Sequence, residues 1–436
     1  MTSSLRLLQM VTSDSSITYG VVKPGDEDIA GVRLVRSGDV IASITDLKKL
    51  RTITRKVSDQ YKRTILEGGE LLVSLVGNPG EVMIAPEHFS GHNIARQVAM
   101  IRLKSDFNNR YVYYSFKSPK TRSVLTSLSK GSVQQVINLS DLQQLEMDVP
   151  SLEVQKAISH ILGTLDDKIE LNQKMNQTLE EIAKAIFKSW FVDFDPVRAK
   201  AEGRPTGLPP EISDFFPDEL VDSEIGEIPK GWEVKTISDL AECAGGATPS
   251  TKNPDFWEDG RHMWTSPKDL SASKSIHLLE TDRKITEAGL KKISSGLLPI
   301  GTVLLSSRAP VGYLALTTEP TAINQGYIAL KPKNGVSNYF LLHWCQSNLD
   351  EIKNRASGTT FAEISKAAFR PIPAVEPCND VMGRFHKFVA PLYERVLISS
   401  KEIKTLSELR DTLLPKLISS ELRIPDAEKF LKEAGI

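Results

Sequence analysis

Side chains able to read or hold a polyanion are concentrated in short, glycine-punctuated stretches. SITYGVVKPG, RLVRSGD, SLVGNPG, HNIARQ and GSVQQ fall in the first third of the chain. GGATPSTKNP, WTSPKD, SSRAP, INQG and SGTT fall in a later region. An Arg fork can bridge guanine O6 and N7, and an Asn or Gln amide can bridge adenine N6 and N7. Ser, Thr, Lys and backbone amides in glycine-rich turns mostly hold phosphates. Any single loop Asn or Ser more commonly just closes its own turn. It is the recurrence of the set at matched places that favours nucleic-acid contact. The candidate contacts are Tyr19, Lys23, Arg36, Ser74, Asn78, Asn93, Arg96, Gln97, Ser132, Gln134 and Gln135 in the first region. In the second they are Thr248, Ser250, Lys252, Trp264, Ser266, Lys268, Arg308, Asn324, Gln325, Thr359 and Thr360.

Catalytic arrangements are missing from the pattern. There is no G-x-x-x-x-G-K-[ST] loop, no G-x-G-x-x-G after a strand and no H-E-x-x-H. Asn253-Pro254-Asp255-Phe256 superficially resembles the Asn/Asp-Pro-Pro-Tyr/Phe loop of amino-methylating enzymes, but Asp255 replaces the central proline and no glycine-rich cofactor loop precedes it. Asp218 with Glu233 and Lys235 imitates a metal-dependent nuclease. The acidic-x-Lys triplet recurs at Asp46–Lys48, Glu351–Lys353 and Glu402–Lys404, so it is background. His88, His92, His262 and His343 are scattered without ligand spacing, and no catalytic or metal site is assigned.

These loops need elements to carry them. Residues 17–150 alternate short strand-like runs with turns, including GGELLVSLVGNPG, VMIAP, QVAMIRL and LEMDVP. NNRYVYYSFKSPKTRSVLTSL reads as one helix, as does SNYFLLHWCQSNLDEIKNRA in the second region. Residues 152–191 read as a long helix whose stripe runs through Ile158, Ile161, Leu165, Leu179, Ile182 and Ile186. An offset of 227 residues returns the stripe as Phe385, Phe388, Leu392, Leu406, Leu409 and Leu413, with Arg395 for Lys168 and Ser399 for Asn172. At about 1.5 Å per residue each helix would be roughly 55 Å long, a strut able to bury its stripe on the other. The globular regions repeat as well: Gly69, Ser74 and Gly80 match Gly301, Ser306 and Gly312, and Gly131, Leu142 and Pro150 match Gly358, Phe369 and Pro377. Such a duplication lets one polypeptide imitate a dimer.

Bulk properties limit the classes. The 436 residues favour two to four domains, and 40% hydrophobic with 25% charged residues is ordinary globular composition. No apolar run suits a membrane span or export signal, and three distant cysteines, Cys243, Cys345 and Cys378, fit a reducing cytoplasm. Net charge is −1, yet residues 1–150 hold 19 Lys/Arg against 15 Asp/Glu, while 195–230 hold 4 against 9. DNA binding is thus permitted by charge but not demonstrated by it.

Several of these stretches together resemble the DNA-specificity subunit of type I restriction–modification systems, over nearly the whole chain from about Ile17 to Leu422. GGATPSTKNPDFWEDG with MWTSPKDL resembles the opening of a target-recognition domain, LLPIGTVLLSSRAPVGYLAL with INQGY its middle, and SGTTFAEIS its close. LDDKIELNQKMNQTLEEIAKAIFKSWFVDFDPV and LRDTLLPKLISSEL are similar to the central and C-terminal conserved helices. The first region, lacking the TPS and FW block, resembles another recognition-domain subtype.

The resemblance implies an α+β fold: two target-recognition domains of short-stranded sheets with a helix, separated by two long antiparallel coiled-coil-like helices, in an internal pseudo-repeat. The corresponding boundaries are a first recognition domain at 1–150, a central long helix at 151–194 and an acidic Pro/Gly-rich connector at 195–230. A second recognition domain at 231–377, a C-terminal long helix at 378–422 and a tail at 423–436 complete the chain. It implies a non-catalytic chain on double-stranded DNA, each domain reading half of a bipartite site and the helices acting as a ruler. The struts, with Trp190, Phe191, Leu414 and Leu417 at their ends, would dock two adenine methyltransferase subunits, and an ATP-dependent endonuclease/translocase would join them. S-adenosylmethionine, ATP and Mg would then belong to those partners, with no cofactor in this chain. Two other classes stay open, a single-chain enzyme with unrecognised catalytic residues and a helical scaffold for proteins; a methylation-only specificity subunit is a milder variant.

Overall fold

The fold is that of a computed structural model describing residues 3–12, 17–131, 135–273, 275–358 and 362–433. Contacts divide the chain into two compact units, residues 1–170 with 404–436, and residues 171–403.

In the first unit, an antiparallel four-stranded sheet has the order Thr18–Tyr19, Val98–Ile101, Leu71–Ser74, Val82–Ile84. Leu71–Ser74 and Val98–Ile101 are buried on both faces, hence their unbroken apolar sequence. A three-stranded sheet follows with Val32–Val35 at its centre, antiparallel to Arg51–Ile53 and parallel to Asn93–Ile94. Ser3–Arg6 pairs with Glu146–Val149. The single helix expected over 108–128 is two, Asn109–Lys117 and Pro119–Leu128. Pro119 cannot continue the first helix, and the Ser118 side chain accepts from Thr121 N to start the second.

The second unit repeats this plan strand for strand. Its larger sheet runs Ala241–Ala244, Tyr327–Pro332, Val303–Ser306, Leu314–Thr317, with the short His277–Leu278 added in parallel. Its three-stranded sheet again has a central strand, His262–Thr265, antiparallel to Arg283–Ile285 and parallel to Thr321–Ile323. Glu233–Thr236 pairs with Pro373–Glu376. The helix expected over 337–356 also splits, into Asn338–Ser347 and Leu349–Asn354.

Two long helices, Leu152–Phe191 and Asn379–Ile418, are each 40 residues and lie 227 residues apart. They pack as an antiparallel, coiled-coil-like pair: within the second unit Asn172 Nδ2 donates to Glu402 Oε2 at 2.9 Å and Asn176 Nδ2 to Ser400 Oγ at 3.2 Å. In the first unit Arg410 Nη1 meets Asp166 Oδ1 at 2.7 Å, and Asp166 Oδ2 accepts from Tyr114 OH at 2.8 Å, tying the helix pair to its globule.

The buried seam differs from the expected stripe. It steps alternately by three and four through Gln155, Ile158, Leu162, Leu165, Ile169, Asn172 and Asn176 and on to Ala183 and Trp190. The offset of 227 places Met382, Phe385, Val389, Val396, Ser399 and Leu406 on the equivalent track, all buried. Ile182 and Phe388, expected inside, are each 44% exposed. The polar residues at buried positions, Gln155, Asn172, Asn176 and Ser399, disguise the heptad.

Trp190 and Phe191, expected to dock partners, are core residues of the second unit. They pack on Phe216, Trp232, Phe340 and Phe385 and are 3% and 7% exposed. Leu414 and Leu417 are likewise buried in the first unit. A side chain covered by its own chain cannot also present a docking face, so these four positions are corrected. Phe216 brings part of the acidic stretch into that core; the stretch contains the helices Asp195–Ala201 and Pro210–Ser213 and a hairpin, Leu220–Ser223 with Gly226–Pro229.

Candidate nucleic-acid interface

In both units the end of the three-stranded sheet gathers loops distant in sequence into one rim. Backbone hydrogen bonds do the gathering. In the second unit Ala247 N donates to Ile323 O (3.1 Å), Asn324 N to Thr265 O (3.0 Å), Ser307 N to Gly326 O (2.8 Å) and Ile364 N to Ser307 O (2.9 Å). In the first unit the same bonds are Val21 N to Ile94 O (2.8 Å), Ala95 N to Val35 O (2.9 Å), Leu75 N to Gln97 O (2.8 Å) and Ile137 N to Leu75 O (3.0 Å). Two glycines permit the closest approach. A Cβ on Gly20 would lie 1.9 Å from Ile94 O, and one on Gly246 1.8 Å from Ile323 O. Any side chain there would force the loop off the sheet.

These bonds define equivalent rim positions: Arg96 with Gln325, Val22 with Thr248, and Arg36 with Ser266. The last pair shares a device. Arg36 N donates to Asp39 Oδ2 at 2.8 Å and Ser266 N to Asp269 Oδ2 at 2.7 Å, each the carboxylate-to-backbone half of a capping box at the start of a short helix. Asp39 is buried and also accepts from the Arg36 guanidinium through Nε (3.2 Å) and Nη2 (3.3 Å). The fork is therefore oriented while Arg36 stays 48% exposed.

Tyr19, Lys23, Asn78, Arg96 and Gln135 are exposed, and Gln97 is half-buried. Gly77 N donates to Gln135 O, joining the 74–78 and 135–137 segments, and Asn78 Nδ2 reaches Glu81 Oε1 at 3.3 Å. In the second unit Thr248, Ser250, Lys252 and Gln325 are exposed, with Thr248 Oγ1 donating to Gln325 Oε1 at 2.6 Å. Ser266, Arg308 and Asn324 are half-buried; Asn324 Oδ1 accepts from Gly326 N, and Arg308 stands 3.7 Å from Glu363. Lys268 is exposed but ion-paired to Asp282 at 3.0 Å, a bond that raises its ammonium pKa. Ser132, Gln134, Thr359 and Thr360 lie outside the described residues.

Three candidates are structural and are corrected. Asn93 is fully buried: its oxygen accepts from Thr64 Oγ1 at 2.7 Å, and its amide donates to Ser58 Oγ at 3.1 Å. Ser74 is also fully buried and bonded to Ser37 Oγ and Val76 O. Trp264 is 6% exposed, its Nε1 donating to Ala247 O at 3.2 Å. Each supports a rim loop from beneath. Asn253 caps a short turn by accepting from Asp255 N, so the NPDF stretch has a structural account. Among the described residues no cluster of His, Cys, Asp and Glu could hold a metal ion.

A family profile, the type I restriction modification DNA specificity domain, matches residues 26–181 and again 229–374, more than half of the chain. The chain belongs to the type I DNA-specificity family. It is 28% identical to the type I restriction enzyme HindI specificity subunit of Haemophilus influenzae, covering 90% of this chain and 94% of that one. With the MjaIX specificity subunit of Methanocaldococcus jannaschii it shares 27% identity over 86% of this chain and 83% of the relative. The fold matches a crystal structure of a type I restriction–modification S subunit from M. genitalium with a TM-score of 0.58 and 14% identity, covering 96% of each chain.

As a type I specificity chain it is non-catalytic and recognises DNA. Supports not anticipated from sequence complete each rim of this specificity chain. Arg283 lies 3.8 Å over the Trp257 ring, Trp257 meets Trp264 edge to face, and Trp257 Nε1 donates to Ser250 O. The FW block is thus a pedestal for the TPS loop. Asp39 and Asp269 were legible as acidic residues three positions after Arg36 and Ser266. No helix among the described residues is long and apolar enough to cross a membrane.

Proposed function

We propose that each unit reads one half of a bipartite, asymmetric site on double-stranded DNA, and that the long helices set the gap between the halves. The observation carrying this reading is the rim built twice from the same backbone bonds with different side chains at equivalent positions: Arg96 against Gln325, Arg36 against Ser266, Val22 against Thr248. One scaffold with two readouts suits an asymmetric target. Half-sites one helical turn apart are about 34 Å from each other, and a 40-residue helix is about 60 Å long.

The reading includes a cytoplasmic complex with two adenine methyltransferase subunits and an ATP-dependent endonuclease/translocase. S-adenosylmethionine, ATP and Mg serve those subunits, and this chain holds no cofactor. With Trp190, Phe191, Leu414 and Leu417 internal, docking falls to exposed apolar residues of the helix pair. Leu171 (62% exposed) and Ile182 (44%) are eleven residues apart, on one helix face, and Ile398 is 57% exposed. Single-molecule adenine-methylation mapping of the host genome, with the gene intact and deleted, tests the proposal. Deletion should erase one split motif with a fixed gap. Persistence of every methylated motif would refute it.

A further inference from the structure

The first unit carries a charged segment outside the rim. Residues 46–63 hold seven Lys/Arg against two Asp. Arg51–Ile53 is the outer strand of the three-stranded sheet. Lys48 and Lys49 precede it, Arg55 and Lys56 lie in the turn of helix after it, and Lys62 and Arg63 in the next. All six are exposed, and none has an ion-pair partner among the described residues. Arg51 is paired with Glu27. Because Leu34 pairs with Arg51 in antiparallel register, Lys48 and Lys49 stand at the end where the chain leaves Val35 for Arg36. Arg55 and Lys56 follow Ile53 at the opposite end of that strand, and the next turn, with Lys62 and Arg63, crosses to the far strand, where Asn93 Nδ2 donates to Ser58 Oγ and its oxygen accepts from Thr64 Oγ1.

We infer that this basic segment, residues 48–63, is a binding surface for a DNA phosphate backbone, giving the first unit a sequence-independent grip that starts beside its reading rim. The inference rests on the DNA-specificity reading. Flexible, strongly hydrated ammonium groups suit phosphates better than base edges. Lysines also guard exposed edge strands against strand pairing, but this strand has only three residues and four of the cations lie in the turns beyond it. The second unit lacks the feature. Its edge strand Arg283–Ile285 is flanked by Glu280, Asp282 and Glu287 as well as Lys284, Lys291 and Lys292, and Arg283 lies on Trp257. The grip is therefore one-sided.

The test compares the full chain, with its co-purifying partner subunits, and a variant carrying Gln at positions 48, 49, 55, 56, 62 and 63. Affinity is measured against salt for a duplex bearing the mapped motif and for a scrambled duplex of equal length. Thermal unfolding establishes that the variant is folded, and the milder K48Q/K49Q/K56Q triple replaces it where it is not. A control carries Gln at 284, 291 and 292. With about 0.9 in the log–log slope for each phosphate neutralised, the sixfold variant should lower the slope by about 3–5 and the triple by about 2–3. Both duplexes should weaken in the same proportion, with preference for the motif unchanged. An unchanged slope, or a loss confined to the motif duplex, overturns the inference. If the unaltered protein shows no preference for the motif, the specificity reading fails instead, and the slope on the scrambled duplex still decides the basic segment.

Discussion

Replacing Arg36 with Ala separates base reading from support. The guanidinium is held by Asp39 through two bonds at 3.2 and 3.3 Å, but the side chain is 48% exposed. Losing such an ion pair should cost the fold at most about 0.2–1 kcal/mol, and the backbone cap from Arg36 N to Asp39 survives. A bidentate arginine–guanine contact is worth about 1–3 kcal/mol of discrimination, about 5- to 150-fold between bases at one position. Binding to duplexes varied one base pair at a time across both half-sites reads this directly. Arg36→Ala should flatten preference at one position of the first half-site and leave the second untouched. Asp39→Ala should flatten the same position, because the fork loses its anchor, and should also destabilise the fold by about 1–2 kcal/mol through the lost cap. Equal weakening on every duplex would mark Arg36 as a phosphate contact. A flattened second half-site would refute the assignment of this rim to the first.

Further predictions concern the helices and their packing. Arg410→Ala removes a 2.7 Å contact to Asp166 with both side chains only 25% and 22% exposed, and should cost about 1.5–3 kcal/mol in denaturant unfolding. Asn176→Leu should stabilise by about 1–2 kcal/mol, because Asn176 Oδ1 is buried without a partner among the described residues and Ser400 keeps its bond to Ser275. A lower melting temperature would contradict this. Burial raises the Glu180 carboxyl from 4.5 to about 7, so its ionisation weakens the folded state progressively as pH rises from 4.5 through 7. Glu180→Gln should add about 1–3 kcal/mol at pH 8 and nothing at pH 4. His277 and His343, lowered by burial from 6.5 to about 4, act oppositely: their contribution is complete above pH 6.5 and lost as pH falls through 4, so the acid limb should persist in that variant. Leu171→Lys should reduce methyltransferase co-purification without changing the melting temperature.

The repeat was legible because duplicated glycines and apolar runs keep their spacing. Gly69, Ser74 and Gly80 do stand in the same strand-and-turn context as Gly301, Ser306 and Gly312. The helices were legible as helices, but their seam only in part: Ile158, Leu165, Phe385, Leu406 and Leu413 are buried as expected. Hydrophobicity picked Ile182 and Phe388, which are exposed, whereas packing buries Gln155, Asn172, Asn176 and Ser399. Polar side chains at core positions weaken the apolar signal where partner geometry decides burial. The same ambiguity affected Asn93, Ser74 and Trp264. An Asn that reads a base and an Asn that ties Thr64 to Ser58 look alike in sequence, and only the parallel pairing of Asn93–Ile94 with Val32–Val35 separates them.

That pairing also explains how two readouts can share one fold. The rim loops are fixed by main-chain bonds to Ile94, Val35 and Gln97 in one unit and to Ile323, Thr265 and Gly326 in the other, together with Gly20 and Gly246 beneath them. Main-chain donors and acceptors do not depend on the side chain that follows. Exchanging Arg96 for Gln, or Ser266 for Arg, alters rim side chains without disturbing the main-chain bonds that position them. Asp39 and Asp269 extend the same logic: each takes its bond from the backbone of the preceding rim residue, so the cap tolerates either Arg or Ser there. Substitution at Gly20 or Gly246, by contrast, would drive a Cβ into a carbonyl oxygen and displace the loop. Recognition can therefore diverge at the rim while stability is held by the layer below it.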